Sequence, residues 1–135
     1  MSTLENGREI TFGEAVKEAL IEEMHRDSHV FIIGEDVAEA GTVFKVLTGL
    51  LDEFGPDRVI DSPISEAGIT GIGVGAAVTG MRPVVDIMFG DFTTLAMDQM
   101  VNQAAKTHYM SGGKLRVPMV IRTTMGAGRR SAAQH

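Results

Sequence analysis

The residues best placed for chemistry form one short run, Asp61-Ser62-Pro63-Ile64-Ser65-Glu66. Pro63 holds Ser62 extended and ends the strand before it. Glu66 then falls in the first turn of an apolar, glycine-rich helix. The simplest use for a carboxylate there is to complement the helix dipole. A carboxyl buried at an interface beside so many small residues has a second use, because burial keeps it able to hold or share a proton. Phe89 and Phe92 stand with Met88 at another strand end and read most simply as packing. His25, His29 and His108 read as surface or helix-face residues, and His135 carries no catalytic assignment on residue chemistry alone. Gly71-x-Gly73-x-x-Ala76 matches a relaxed dinucleotide fingerprint, but that fingerprint needs a strand directly before it. About ten residues separate it from Asp61, which makes helix packing the better reading.

The elements that must position these residues alternate between helix and strand. Thr11-Phe12-Gly13-Glu14 is a capping box that starts a helix running to about Asp27, with Phe12, Val16, Ala19, Leu20 and Met24 along one face. Val30-Phe31-Ile32-Ile33 is a short apolar run of the kind that forms a buried parallel strand. The spacing predicts a second helix over roughly 44–54, stopped by Gly55-Pro56, and a strand over 58–61. Ser65 caps the glycine-rich helix, which runs through Gly80. Each interior glycine costs about 1 kcal/mol against alanine, and close packing against another backbone would offset that. Pro83-Val84-Val85-Asp86-Ile87 is the third strand. A long amphipathic helix spans about 93–110, with Leu95, Met97, Met100, Val101, Ala104, Ala105 and His108 on one stripe. Pro118-Met119-Val120-Ile121-Arg122 is the fourth strand.

Strands separated by helices in this order predict an α/β fold, a three-layer, doubly wound, mostly parallel sheet. Ligands of such sheets bind outside the carboxyl ends of the strands. That rule selects segments 34–36, 62–66, 88–92 and 125–135. A chain of 135 residues suits one domain with a single core. It is 44% hydrophobic and 22% charged, which places it among globular proteins and excludes disorder. The net charge of −6, with Arg129-Arg130 the only dense basic cluster, excludes a nucleic-acid footprint. Without cysteine there is neither a disulfide framework nor a thiolate metal site. The first seven residues are polar, unlike a signal peptide, and no apolar run is long enough to span a membrane. A cytoplasmic location is the expectation.

Taken in order, these segments resemble the β subunit of the heterotetrameric first components of 2-oxoacid dehydrogenases, a family that includes pyruvate, branched-chain and acetoin enzymes. The resemblance is carried by Ile33-Gly34-Glu35-Asp36-Val37, Asp61-Ser62-Pro63-Ile64-Ser65-Glu66-Ala67-Gly68, Gly75-Ala76-Ala77 and Gly80-Met81-Arg82-Pro83. It continues through Met88-Phe89-Gly90-Asp91-Phe92, Met97-Asp98-Gln99, Ala104-Ala105-Lys106, Tyr109-Met110-Ser111-Gly112-Gly113 and Ala132-Ala133-Gln134-His135. It covers nearly the whole chain from Thr11 onward.

The resemblance implies a pyrimidine-binding (transketolase-like) domain for the aminopyrimidine half of thiamine diphosphate. Glu66 matches the glutamate that hydrogen-bonds ring atom N1′. A proton-sharing carboxyl there favours the imino form of the 4′-amino group, the base that acts on the thiazolium C2 proton. Met88 and Phe92 match positions that pack on the pyrimidine, and Ile64 lines the same pocket. Glu35 matches an acidic residue near that pocket, without an assigned step. His135 matches a histidine on the substrate side, active during acyl transfer to lipoyl groups. The diphosphate and Mg2+ sites resemble a Gly-Asp-Gly…Asn motif of an α subunit, and this sequence has none. The implied partners are that α subunit, in an α2β2 heterotetramer, and a lipoyl acyltransferase core. Residues 1–135 then form an incomplete N-terminal domain, without the C-terminal transketolase-like domain and inactive in isolation. Three alternatives stand beside this reading. They are a transketolase or deoxyxylulose-phosphate synthase domain, a nonenzymatic nucleotide-binding module, and a structural fragment. The choice of 2-oxoacid or acetoin is not legible in the sequence.

Overall fold

The computed structural model describes residues 8–126 and Gly128. The first helix, α1 (Phe12–Arg26), starts at the expected capping box. Glu14 donates its backbone N–H to Thr11 Oγ1 at 3.2 Å, and Thr11 donates its own to Glu14 Oε2 at 2.7 Å, which satisfies donors the first turn leaves free. The stripe of α1 carries Met24 into the core, whereas Phe12 at the other end is exposed. Arg58 finishes the helix by donating to the carbonyls of Met24 and Asp27, acceptors at a helix end that the last turn cannot pair itself, and donates also to the Val30 carbonyl beyond it.

Four strands follow: β1 (Val30–Gly34), β2 (Val59–Asp61), β3 (Arg82–Ile87) and β4 (Val120–Thr123). Every pairing is parallel, and the order is β2-β1-β3-β4. The helices α2 (Leu50–Phe54) and α3 (Glu66–Val78) lie in the first two connections, and α4 (Thr93–Asp98) and α5 (Ala105–Met110) in the third. The α/β, doubly wound expectation is thus met. Strand β1 is buried throughout, as a central strand covered on both faces must be. Its side chains alternate between two cores. Val30 and Ile32, with Val84, meet Met24, Leu47 and Leu50; Phe31 and Ile33, with Val85 and Ile87, meet Ile69 of α3. The chain steps outward from β1 to β2 and then back across β1 to β3. Right-handed crossovers in opposite directions therefore put α2 and α3 on opposite faces.

Two glycines allow close approach. A Cβ on Gly34 would sit 2.7 Å from the Asp86 carbonyl oxygen, and one on Gly73 would sit 2.5 Å from Val85 Cγ2. The glycine-rich run is accordingly helix interior, pressed on the sheet at Gly73, and not a phosphate-binding turn.

Other expectations are corrected. The helix expected over 44–54 is only α2, and residues 43–49 form turns. Gly49 takes φ 91°, and Phe44 turns toward Phe89 instead of continuing a helical face. The helix expected over 93–110 is interrupted by a π-helical stretch, Gln99–Ala104, between α4 and α5. Its apolar stripe is not core: Leu95 is 58% exposed and Val101 44%, and Ala96 alone within α4 is buried. That helix touches α3 and leaves its own stripe facing outward. Among the described residues no helix is long and apolar enough to cross a membrane.

Candidate active site

The order β2-β1-β3-β4 creates a topological switch between β1 and β3, whose connections leave in opposite directions. Their carboxyl ends open a crevice of the kind that accepts ligands in open α/β sheets. Three of the four segments selected from the sequence meet around it. Glu35 directly follows β1, Ile64 and Glu66 follow β2, and Met88 and Phe92 follow β3. The fourth segment includes His135, which lies outside the described residues.

Glu66 occupies the first position of α3 and is 7% exposed. Ser65 sets the start of that helix, accepting the Gly68 N–H on its Oγ at 3.2 Å. Glu35 stands close enough for the Glu66 charge to act on it. Its carboxyl is pushed above the ordinary 4.5, first by burial and then by the charges of Glu66 and Asp36, while the Ser65 backbone N–H pulls it down. Glu35 Oε1 is buried without a hydrogen-bond partner among the described residues, as are Ser62 Oγ and Thr70 Oγ1, one turn beyond Glu66. Buried polar atoms are rarely left unpaired, and these mark where a bound polar group would be received. Asp61 braces the same region by accepting the Ala38 N–H at 2.8 Å, which fastens the loop after β1 to the end of β2.

The apolar side of the crevice comes from β3. Phe92 packs against the cluster of Ile33, Ile69 and Ile87. Met88 is half-buried, and its carbonyl accepts the Thr124 hydroxyl at 2.6 Å. Ile64, expected in the same pocket, is 82% exposed. It borders the crevice without being enclosed by this chain. The structure thus brings Glu35 and Glu66 together and adds Phe92 to the cluster beneath them. Chemically, the arrangement offers two neighbouring carboxyls, of which Glu35 is pushed toward holding its proton, beside an aromatic and aliphatic wall suited to a flat heteroaromatic ring with polar edges.

Two features escaped the sequence. Asp86 and Arg122 form a buried ion pair between neighbouring strands. Burial pushes the Asp86 carboxyl up, and the Arg122 charge and hydrogen bond pull against it. The available signal was one charge in the interior of each of two apolar strands, which burial requires to be paired. The other is a run of rings. Phe44 meets Phe89 edge-on at 6.1 Å, and Phe89 meets Phe92 edge-on at 5.7 Å.

The family described as "Transketolase, pyrimidine binding domain" matches residues 8–135. The pyruvate dehydrogenase E1 component subunit beta of Rickettsia bellii is 55% identical over 127 residues, covering 94% of this chain and 39% of that protein. The mitochondrial subunit beta-1 of the same component from Oryza sativa subsp. japonica is 52% identical over 128 residues, 95% of this chain and 34% of the relative. The subunit beta of Rhizobium meliloti is 52% identical over 126 residues, 93% and 27%. The chain spans 39% or less of the length of these curated relatives. With a parallel sheet and a family match over nearly its full length, the chain belongs to the transketolase pyrimidine-binding-domain family.

Proposed function

We propose that this chain is the pyrimidine-binding part of the β subunit of a thiamine-diphosphate-dependent 2-oxoacid dehydrogenase, with pyruvate the favoured substrate. The observation that carries this reading is Glu66, buried at the start of α3, with half-buried Glu35 close enough to feel its charge and one Glu35 oxygen buried without a hydrogen-bond partner among the described residues. The names of the relatives support the choice of enzyme. The residues present fit the aminopyrimidine. Glu66 would hydrogen-bond ring atom N1′ and share a proton with it, with Glu35 beside it, and Phe92 and Met88 would pack on the ring, with Ile64 at the rim. When bound, the cofactor supplies the carbanion chemistry that breaks the bond next to the substrate carbonyl. His135 acts on the substrate side as the acyl group passes to a lipoyl group.

The diphosphate and Mg2+ belong to an α subunit in an α2β2 assembly docked on a lipoyl acyltransferase core, and residues 1–135 are part of the first domain of a longer β chain. The outer face of α3 supports a subunit contact, since Ile72 is 56% exposed and a Cβ on Gly75 would meet nothing within 4 Å.

The test is Glu66→Gln in the full-length subunit assembled with its α partner. Glutamine keeps a hydrogen bond but cannot pass a proton. Thiamine diphosphate should still bind by titration calorimetry, while exchange of its C2 proton, followed by NMR, should slow by about 10²–10⁴-fold. Exchange at the parental rate would remove Glu66 from the chemistry.

A further inference from the structure

Among the described residues, the three other than glycine that take positive φ all fall in the loop after β1: Asp36 at 52°, Thr42 at 72° and Lys45 at 60°. For β-branched Thr42 this is a genuine outlier. Its residue is only 5% exposed, and its Oγ1 has no hydrogen-bond partner among the described residues. Such a backbone persists only where its surroundings over-determine it, and strain of this kind gathers at functional sites. The restraints are visible. Val37 and Leu47 are fully buried, Thr42 donates its N–H to the Asp36 carbonyl at 2.7 Å, and Leu47 donates its own to Gly41 at 3.0 Å. Lys45 Nζ donates to the Ala40 carbonyl at 2.8 Å.

What this loop presents is Phe44. Its ring stands at 86° to Phe89, which stands at 82° to Phe92. Both contacts are T-shaped and lie within the range where aromatic pairs attract beyond simple burial. Phe44 and Val46 line the α1 side of the sheet, whereas Phe92 belongs to the α3-side cluster. Phe89 joins them across the carboxyl edge between β1 and β3, at the switch point itself. Its ring is in edge-on contact with both neighbours.

We propose that Phe44 and Phe89 are positioning residues: through them the strained loop at 36–49 fixes the orientation of the Phe92 ring against the cofactor pyrimidine. The inference rests on the reading of Phe92 given above. Neither Phe44 nor Phe89 touches the reacting atoms in this scheme; each acts through Phe92.

The experiment is a double-mutant cycle in the full-length subunit assembled with its α partner, reading the Kd for thiamine diphosphate with Mg2+ by titration calorimetry. Phe44→Ala and Phe89→Ala should each raise Kd about 3- to 10-fold, in line with loss of one edge-to-face contact. The Phe44→Ala effect should shrink to nothing in the Phe89→Ala background. Phe44→Tyr, which keeps the ring, should restore the parental Kd, and Phe44→Leu, which keeps only apolar bulk, should not. Rescue by leucine, or full additivity of the two alanine changes, overturns the relay. Phe92→Ala separates the two levels. If it leaves Kd unchanged, the cofactor reading of Phe92 fails and takes the relay with it. If it raises Kd while Phe44→Ala does not, the relay alone is overturned.

Discussion

The two faces of the sheet are covered unequally. On the α3 face, Ile33, Val85 and Ile87 are sealed under Ile69, and Gly73 comes so close that even a methyl group would collide with Val85. On the α1 face the packing is as dense over β1 and β2, where Met24, Ile32, Leu47, Leu50 and Val59 are at most 1% exposed. Over β3 and β4, however, an apolar groove of about 1180 Å³ opens between α1 and the edge strand, lined by Val16, Leu20, Val84 and Ile121. Phe12 at its rim is 86% exposed and Val120 on β4 is 58% exposed. The difference follows from connectivity. The crossovers into β3 and β4 lay α3 and α4 on one face, and among the described residues only the helices α1 and α2 serve the other, on the β1–β2 side. Apolar strand residues do not by themselves make a core; a covering element does.

Substitutions on the two faces should differ in their cost. On the closed face, Ile69→Ala should cost about 2–5 kcal/mol by urea titration, while Phe12→Ser at the groove rim should change stability by less than about 0.5 kcal/mol. Equal losses would mean that the groove is filled in solution. Next in size is Asp86→Asn. It strands the Arg122 guanidinium, whose side chain is 15% exposed, and should cost about 2–3 kcal/mol, somewhat below the full penalty for a buried charge left alone. Replacing both, as Asp86→Leu with Arg122→Met, should recover most of that loss. A double variant no better than the single one would show that the pair does more than neutralise itself.

The smallest effect concerns pH. Glu35 binds its proton more tightly in the folded chain than at the ordinary 4.5. Between those two values the folded state holds more protons than the unfolded state, so stability falls as pH rises through that window. Glu35→Gln should flatten this part of the stability profile and leave the chain more stable at neutral pH. A profile identical to the parent's would contradict the raised proton affinity of Glu35.

Much of this was legible in the residues, for local reasons. The capping box at Thr11 and Glu14, the apolar run of β1 and the Pro63 stop all depend on neighbours in sequence, and all stand where expected. The placement of Glu66 in the first turn of α3 was legible for the same reason. What escaped depends on distant partners. Phe44 has helical spacing with its neighbours, yet Phe89, forty-five positions on, claims its ring. The stripe of Leu95 and Val101 has the period of a core face, but no described element covers it. Periodicity reports which side of a helix is apolar and is silent about whether anything lies against it. The closeness of Glu35 to Glu66 likewise required the register between β1 and β2, in which Gly34 lies opposite Asp61.

The strand order also sets a timetable. Strand β1 is central, and its second neighbour, β3, is encoded about 50 residues later, with Val30 pairing to Arg82. At roughly 5–20 residues per second, a ribosome takes about 3–10 seconds to supply that neighbour. Throughout that interval Val-Phe-Ile-Ile is already made and has at least one open edge, and both are open until β2 is made. The nascent chain therefore passes through a period in which its most apolar segment waits for its partner, and chaperone capture during synthesis would act on that segment first.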